Sequence, residues 1–211
     1  MITQELLDEL WDFEDPAGSE QRFAVVEASE SHTDSDRAEL VTQRARALGL
    51  QRRFDDGHAL LDSLGDRSDA VVRTRVALEG GRLLNSAGRQ SEAVPQFEAA
   101  ARTAATAGLL FLEIDALHML AIADEARSGD WAAQGIDRAL AASDDRTRRW
   151  LVSLYNNVGW RHFDGGRLNE ALDNFQQAQE WAERVGNEQQ RVWAREAIDE
   201  CVAAMKARDS S

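Results

Sequence analysis

A recurring spacing of small and large apolar residues constrains the fold of this chain more than any other feature. Counting from Gly159, apolar residues follow at offsets of 12, 16 and 19, and the same offsets recur from Gly81 and Leu120. Two weaker copies begin at Ala45 and Leu7. The residues at the 16-residue offset form a ladder of large apolar side chains: Phe23, Leu61, Phe97, Ile136 and Phe175. The recurrence of one spacing along the chain is typical of repeat proteins, whose single units cannot bury their apolar faces alone.

Each unit reads as two amphipathic helices joined by a short polar turn. Small residues at the anchor and 12 positions later let two helix backbones approach, while the larger residue fills the groove between them. The turns are predicted at Gly165-Gly166-Arg167 and Ser128-Gly129-Asp130. The prediction is an all-α solenoid of five antiparallel hairpins and a closing helix over roughly Glu188–Ala207, about eleven helices in all.

No change in composition divides the chain, so a single domain over residues 1–211 is expected. The sequence has two prolines and no Gly/Ser-rich linker. Acidic residues near the amino terminus argue against a secretory signal, and no apolar run is long enough for a membrane span. We therefore expect a cytoplasmic protein.

Charge and cysteine content exclude several classes of function. The formal net charge is -14, which disfavours nucleic acid and anionic membrane surfaces as partners. Cys201 is the only cysteine, so an intrachain disulfide is excluded, and it is expected to be buried on the last helix. The four histidines form no helical metal-binding pair.

Local motifs that suggest chemistry are better explained by helix ends. The stretch His32–Asp36 lacks the glycine and distal glutamate of a calcium loop, and helix capping by Thr33, Ser35 or Asp34 explains it better. The acidic pairs Asp55-Asp56 and Asp144-Asp145 are expected at turns or helix starts. No nucleophile elbow, P-loop or dinucleotide motif occurs, so no catalytic residue, metal or cofactor is predicted and the protein is expected not to be an enzyme.

The unit anchored on Gly159 carries a family resemblance. The stretch Tyr155–Gly159, followed by Gly166–Phe175 and Ala178, resembles a tetratricopeptide repeat. The repeat length departs from the 34 residues usual in that family. The stretch Leu10–Pro16 is also similar to a group of uncharacterised bacterial tetratricopeptide proteins.

The resemblance implies that the first helix of each hairpin lines a concave ligand groove. Family practice places ligand contacts two and three residues before the anchor and one after it, with Arg75 added one turn earlier. The groove residues implied in this way are Gln43, Arg46, Arg75, Glu79, Arg82, His118, Asn156, Asn157, Trp160, Arg195 and Asp199. Trp160 directly follows the anchor Gly159 and is expected to be exposed in the groove.

The charge of this groove allows two interpretations. Four arginines on an inner surface would invert the local charge of an acidic protein and suit a carboxylate or acidic peptide. Alternatively, Glu79 and Asp199 pair with the neighbouring arginines and leave the groove nearly neutral.

The resemblance therefore predicts a non-catalytic adaptor that binds another protein or a peptide in the groove. One alternative is a structural protein that self-associates through an exposed face, giving a homo-oligomer. Another is a regulatory sensor whose curvature responds to a peptide or metabolite.

Overall fold

The structure, a computed structural model, describes residues 2–30, 32–66 and 68–209. All regular secondary structure in these ranges is helical. The α-helices are α1 (Gln4–Leu10), α2 (Pro16–Glu27), α3 (Asp34–Leu50), α4 (Phe54–Ser63), α5 (Ala70–Ser86), α6 (Gln90–Ala107), α7 (Leu110–Ala123), α8 (Ser128–Leu140), α9 (Asp145–Arg148), α10 (Trp150–Asp164), α11 (Leu168–Val185) and α12 (Glu188–Asp209). α9 is a single turn, and the other eleven α-helices agree with the prediction of about eleven. None of the described helices is long and apolar enough to cross a bilayer.

The chain divides into two compact units, and the boundary along the sequence lies between Ala126 and Arg127. In the first unit each helix from α2 to α7 packs against the next, and among the first helices of successive hairpins α5 also packs against both α3 and α7. In the second unit α10, α11 and α12 pack in sequence, α10 also contacts α12, and α8 and α9 lie against α10. The single domain expected over residues 1–211 stays a prediction.

The steric rule behind the repeat is confirmed at its two best copies. A methyl group on Gly81 would lie 2.5 Å from Cε1 of Phe97, and one on Gly159 would overlap the ring of Phe175 in the same way. Both phenylalanines are fully buried. Glycine at the anchor therefore lets the ring of the second helix rest against the backbone of the first.

The rest of the apolar ladder is confirmed in part. Phe23 on α2 and Leu61 on α4 are buried, whereas Ile136 on α8 is only half-buried. Leu7 of α1 joins the same apolar cluster as Phe23, as the weakest copy predicts. However, α1 approaches α2 at few points of the backbone, whereas α5 and α6 pack along their lengths.

Three turns between paired helices close in the same way. The amide nitrogens of Arg53, Arg89 and Arg167 donate to carbonyl oxygens five residues earlier, each at 2.9 Å. This is the longer hydrogen bond of a Schellman closure, which requires a left-handed residue just before the donor. Gly88 and Gly166 meet this requirement, but in the first turn it falls on Arg52, with a φ of 61°.

The turn predicted at Gly165-Gly166-Arg167 is confirmed between α10 and α11, but the turn predicted at Ser128-Gly129-Asp130 is wrong. Those residues form the first turn of α8, and the preceding connection is Asp124 with a short 3₁₀ helix over Glu125–Arg127. Polar and acidic residues suit the start of a helix as well as a turn, so the composition did not distinguish the two.

The predicted helix ends are confirmed. Thr33 and Asp36 form a capping box at the start of α3, and Asp144 caps α9 by accepting from the amide of Thr147 at 2.8 Å. Asp55 and Asp56 lie in the first turn of α4. Cys201 is buried on α12, where its Sγ lies 3.3 Å from the carbonyl oxygen of Leu168.

Candidate binding face

Six of the eleven groove residues predicted from the sequence converge in the first unit. They lie on the three first helices that pack side by side: Gln43 and Arg46 on α3, Arg75, Glu79 and Arg82 on α5, and His118 on α7. We call these six residues, together with Glu39 on α3 and Asp115 on α7, the polar network.

Arg82 links the helices α5 and α7 at the centre of the polar network. Its Nη1 lies 2.6 Å from Oε1 of Glu79, and its Nη2 donates to Oδ1 of Asp115. Burial lowers the pKa of Arg82, but the two carboxylates outweigh burial and raise it above its usual value. For Asp115 burial raises the pKa, but the guanidinium groups of Arg82 and Arg46 lower it by more, so the pKa lies below its usual value.

Arg75 makes the equivalent link between α5 and α3. Its Nε lies 2.7 Å from Oε1 of Glu39, and its Nη2 donates to Oε1 of Gln4 at 3.1 Å. Burial raises the pKa of Glu39 despite this ion pair. Arg75 is 6 % exposed, so it contributes to the interior more than to the surface.

Arg46 has a different environment from the other two arginines. Its guanidinium lies 5.4 Å from the ring centroids of both Trp11 and Phe13, which stack on each other at 4.9 Å. No carboxylate lies within ion-pair distance of Arg46 in the part of the chain that the structure describes. Burial and the neighbouring Arg82 lower the pKa of Arg46, so a further anion beside it would be favourable.

Two other members are held in the low-dielectric interior of the polar network. Glu79 is fully buried, and its Oε2 atom has no hydrogen-bond partner among the described residues. The pKa of His118 is lowered to about 4, chiefly by burial and also by Arg82 and Arg46, while Asp115 opposes the shift. The imidazole is therefore neutral at pH 7.

The balance of charge in the polar network corrects the expectation of an inverted groove. Three arginines are matched by three carboxylates, from Glu39, Glu79 and Asp115. Gln43, Arg75 and Glu79 are also buried, because the close packing of α3, α5 and α7 places them between helices. For Arg75 and Arg82 the internally paired interpretation is the one observed, and Arg46 is left as the cation available to an anionic ligand.

The remaining predicted groove residues belong to the second unit. Asn156, Asn157 and Trp160 are half-buried on α10, and Arg195 and Asp199 are exposed on α12. The Nε of Arg195 donates to the carbonyl oxygen of Arg191 at 3.2 Å, within the same helix.

Trp160 contributes to packing. Its ring lies edge-on to Phe175, with centroids 5.0 Å apart, and edge-on to Phe163 at 5.3 Å. It packs against the apolar cluster that joins α11 and α12. The expectation of a tryptophan exposed in the groove therefore holds for only part of its surface.

Sequence reasoning missed Glu39, Asp115, Trp11 and Phe13. Glu39 lies four residues before Gln43, in the same relation as Arg75 to Glu79, so extending that step from α5 to α3 would have found it. Asp115 lies three residues before His118, and the same four-residue step on α7 reaches Ile114 instead. Trp11 and Phe13 lie in an irregular segment and carry no periodic signal.

In the ranges that the structure describes, no group of three or more His, Cys, Asp or Glu side chains is arranged to hold a metal ion. No protein-family model matches the chain, and no curated protein matches it. The resemblance to tetratricopeptide repeats stays a prediction.

Proposed function

We propose that this protein is a non-catalytic scaffold of tetratricopeptide-like hairpins that binds another protein through the face made by its first helices. The repeated use of a small anchor against a large ring, at Gly81 and Phe97 and again at Gly159 and Phe175, supports this architecture. The packing of α3, α5 and α7 side by side supports a shared face. We also propose that it works in the cytoplasm.

One observation carries this proposal: groove residues that the sequence predicts on three different helices meet in one polar network. Of its three arginines, Arg75 and Arg82 form ion pairs with carboxylates, whereas the close contacts of Arg46 are with the rings of Trp11 and Phe13. A guanidinium over an aromatic face keeps the N–H donors in its own plane directed outward, where a carboxylate can accept from them. The proposed partner is therefore a protein or peptide segment with an acidic or carboxylate group.

The second unit carries polar groove residues of its own. Asn156 and Asn157 on α10 carry amide donors and acceptors suited to a peptide backbone, and Arg195 and Asp199 on α12 are exposed. We propose these as peptide contacts within the second unit.

Affinity capture from a lysate of the source organism tests the proposal. Wild type, Arg46→Ala and the control Arg102→Ala would be compared by quantitative mass spectrometry. Arg46→Ala leaves no buried carboxylate without its partner, and Arg102 is an exposed arginine on α6, a second helix. A protein retained by wild type and the control but lost with Arg46→Ala supports the proposal, and identical profiles would reject this face.

Self-association is a second candidate because of one exposed aromatic side chain. Trp193, on α12, is 57 % exposed. An exposed indole on a terminal helix suits contact with a second copy. Light scattering over a range of concentrations, for wild type and Trp193→Ala, tests this, and a strict monomer at the highest concentration would remove it.

A further inference from the structure

The amino-terminal segment lies on the same face that the proposed function assigns to a partner. The Nε1 of Trp11 donates to Oε1 of Gln43 at 3.0 Å, and Gln4 accepts from Arg75. Trp11 and Phe13 lie under the guanidinium of Arg46. Gln43, Arg46 and Arg75, three of the residues predicted to contact a ligand, are thus already contacted by residues 4–13 of the chain itself.

This segment is docked through side chains more than through its backbone. Leu7 is buried in a cluster with Phe23 and Leu40, although α1 approaches its neighbours at few backbone points. Gln4 and Leu7 have the i, i+3 spacing of one face of α1, and Trp11 follows in the extended stretch directly after the helix.

The segment is strongly acidic and covers one guanidinium group. Residues 2–15 contain six acidic side chains and no basic one: Glu5, Asp8, Glu9, Asp12, Glu14 and Asp15. Arg46 lies over the rings of Trp11 and Phe13, whereas Arg75 is already paired with Glu39. Beyond the helix, the irregular stretch after Leu10 is tied to α2, since Ser19 exchanges hydrogen bonds with the backbone of Asp12 and Arg22 donates to the carbonyl oxygen of Leu10.

We propose that residues 2–13 occupy the binding face in cis, and that its external partner is a short acidic amphipathic helix with a large aromatic anchor, which displaces them. The inference rests on the proposed function and names the class of partner. The displaced segment stays tethered because the chain continues directly into α2 at Pro16. A tethered segment competes at an effective concentration of about a millimolar, so an external peptide binds wild type weakly.

Fluorescence anisotropy with a labelled peptide of residues 2–15, ITQELLDELWDFED, tests this on the full-length chain. Trp11→Ala, which weakens the segment in cis, should bind the peptide at least about 10-fold more tightly than wild type does. The control Trp193→Ala removes an exposed indole elsewhere and should bind as wild type does. A peptide with alanine in place of Leu7 and Trp11 should not bind, and Arg46→Ala in the Trp11→Ala background should lower the affinity again.

Equal peptide affinity for wild type and a folded Trp11→Ala variant would overturn the inference. If Arg46→Ala still loses a protein partner in the capture experiment, the proposed function stands and only the chemistry of the partner is rejected. If wild type dimerises and the peptide blocks the dimer, a second copy of the chain binds this face. That result would overturn the inference of an external partner.

Hydrogen exchange provides a test that needs no substitution. The amides of Leu7–Leu10 should exchange at least about 100-fold faster than those in the middle of α5, because displacement of α1 does not require global unfolding. Equal protection of the two helices would make α1 a fixed part of the fold and contradict its displacement.

Discussion

At the scale of single residues, the energetics of the first unit centre on charges removed from water. Arg82 contacts two carboxylates, and one of them, Glu79, is fully buried. A buried ion pair adds little over a packed apolar core, but removing one partner leaves an uncompensated charge. The polar network is therefore sensitive to loss of any arginine that is paired within it.

Arg82→Ala should lower the free energy of unfolding by about 3–5 kcal/mol, because Glu79 and Asp115 would lose their shared cation. Arg89→Ala removes an exposed arginine of the same helix pair, which contacts Glu92, and should cause no measurable change. Urea unfolding of both variants measures this. A loss for Arg82→Ala no larger than for Arg89→Ala would contradict the buried network.

His118 should make the stability of the first unit depend on pH. Its pKa is lowered to about 4 in the fold, against about 6.5 for an unperturbed histidine, so below pH 6.5 the unfolded chain binds a proton that the folded chain does not. The stabilisation is present above pH 6.5 and is lost as the pH falls towards 4. The groups facing the imidazole are Asp115 on its own helix, Arg82 on α5 and Arg46 on α3.

The measurement is urea unfolding at pH 7 and pH 5 for wild type and His118→Gln. Wild type should lose on the order of 2 kcal/mol more than the variant between these pH values. The other titrating groups are common to both proteins, so the difference isolates the histidine. Parallel losses would show that the imidazole is accessible to protons in the fold.

At the scale of helices, the anchor glycines set the distance between paired helices. Gly81→Ala would place a methyl group 2.5 Å from Phe97. Overpacking of this kind costs about 1–3 kcal/mol. At Gly80 the same methyl meets only Leu61, at 3.8 Å, so Gly80→Ala should stabilise α5 by about 0.5–1 kcal/mol through helix propensity. Thermal unfolding of the two neighbouring variants gives opposite signs if the anchor rule is correct, and two stabilised proteins would refute it.

The Schellman-type turn between α3 and α4 has Arg52 at the left-handed position where the other two turns have Gly88 and Gly166. Arg52 has a φ of 61°, and a side chain in this left-handed region costs about 1 kcal/mol. Arg52→Gly should therefore stabilise the first unit by about 0.5–1 kcal/mol. Gly88→Ala, at the equivalent turn and with no steric obstruction, should destabilise it by a similar amount. Calorimetry of both variants checks the pair, and a loss of stability in Arg52→Gly would contradict it.

At the scale of the whole molecule, the sequence predicted the helices well and the polar network only in part. The ladder from Phe23 to Phe175 was readable because the packing of each hairpin depends on residues close together in the chain. The pairing of Arg75 with Glu39 depends instead on how α5 stacks on α3, which a one-dimensional pattern does not record. The contact of Trp11 with Arg46 was even harder to predict from the sequence, since it depends on the path of an irregular segment.

The central claim is that a partner binds the face made by the first helices. The most direct test is hydrogen exchange of the full-length protein with and without the protein captured through Arg46. The account predicts slower exchange in α3 around Arg46 and in α5 between Arg75 and Arg82, with α4 and α6 unchanged. Protection confined to α4 and α6 would place the partner on the second helices and contradict the account.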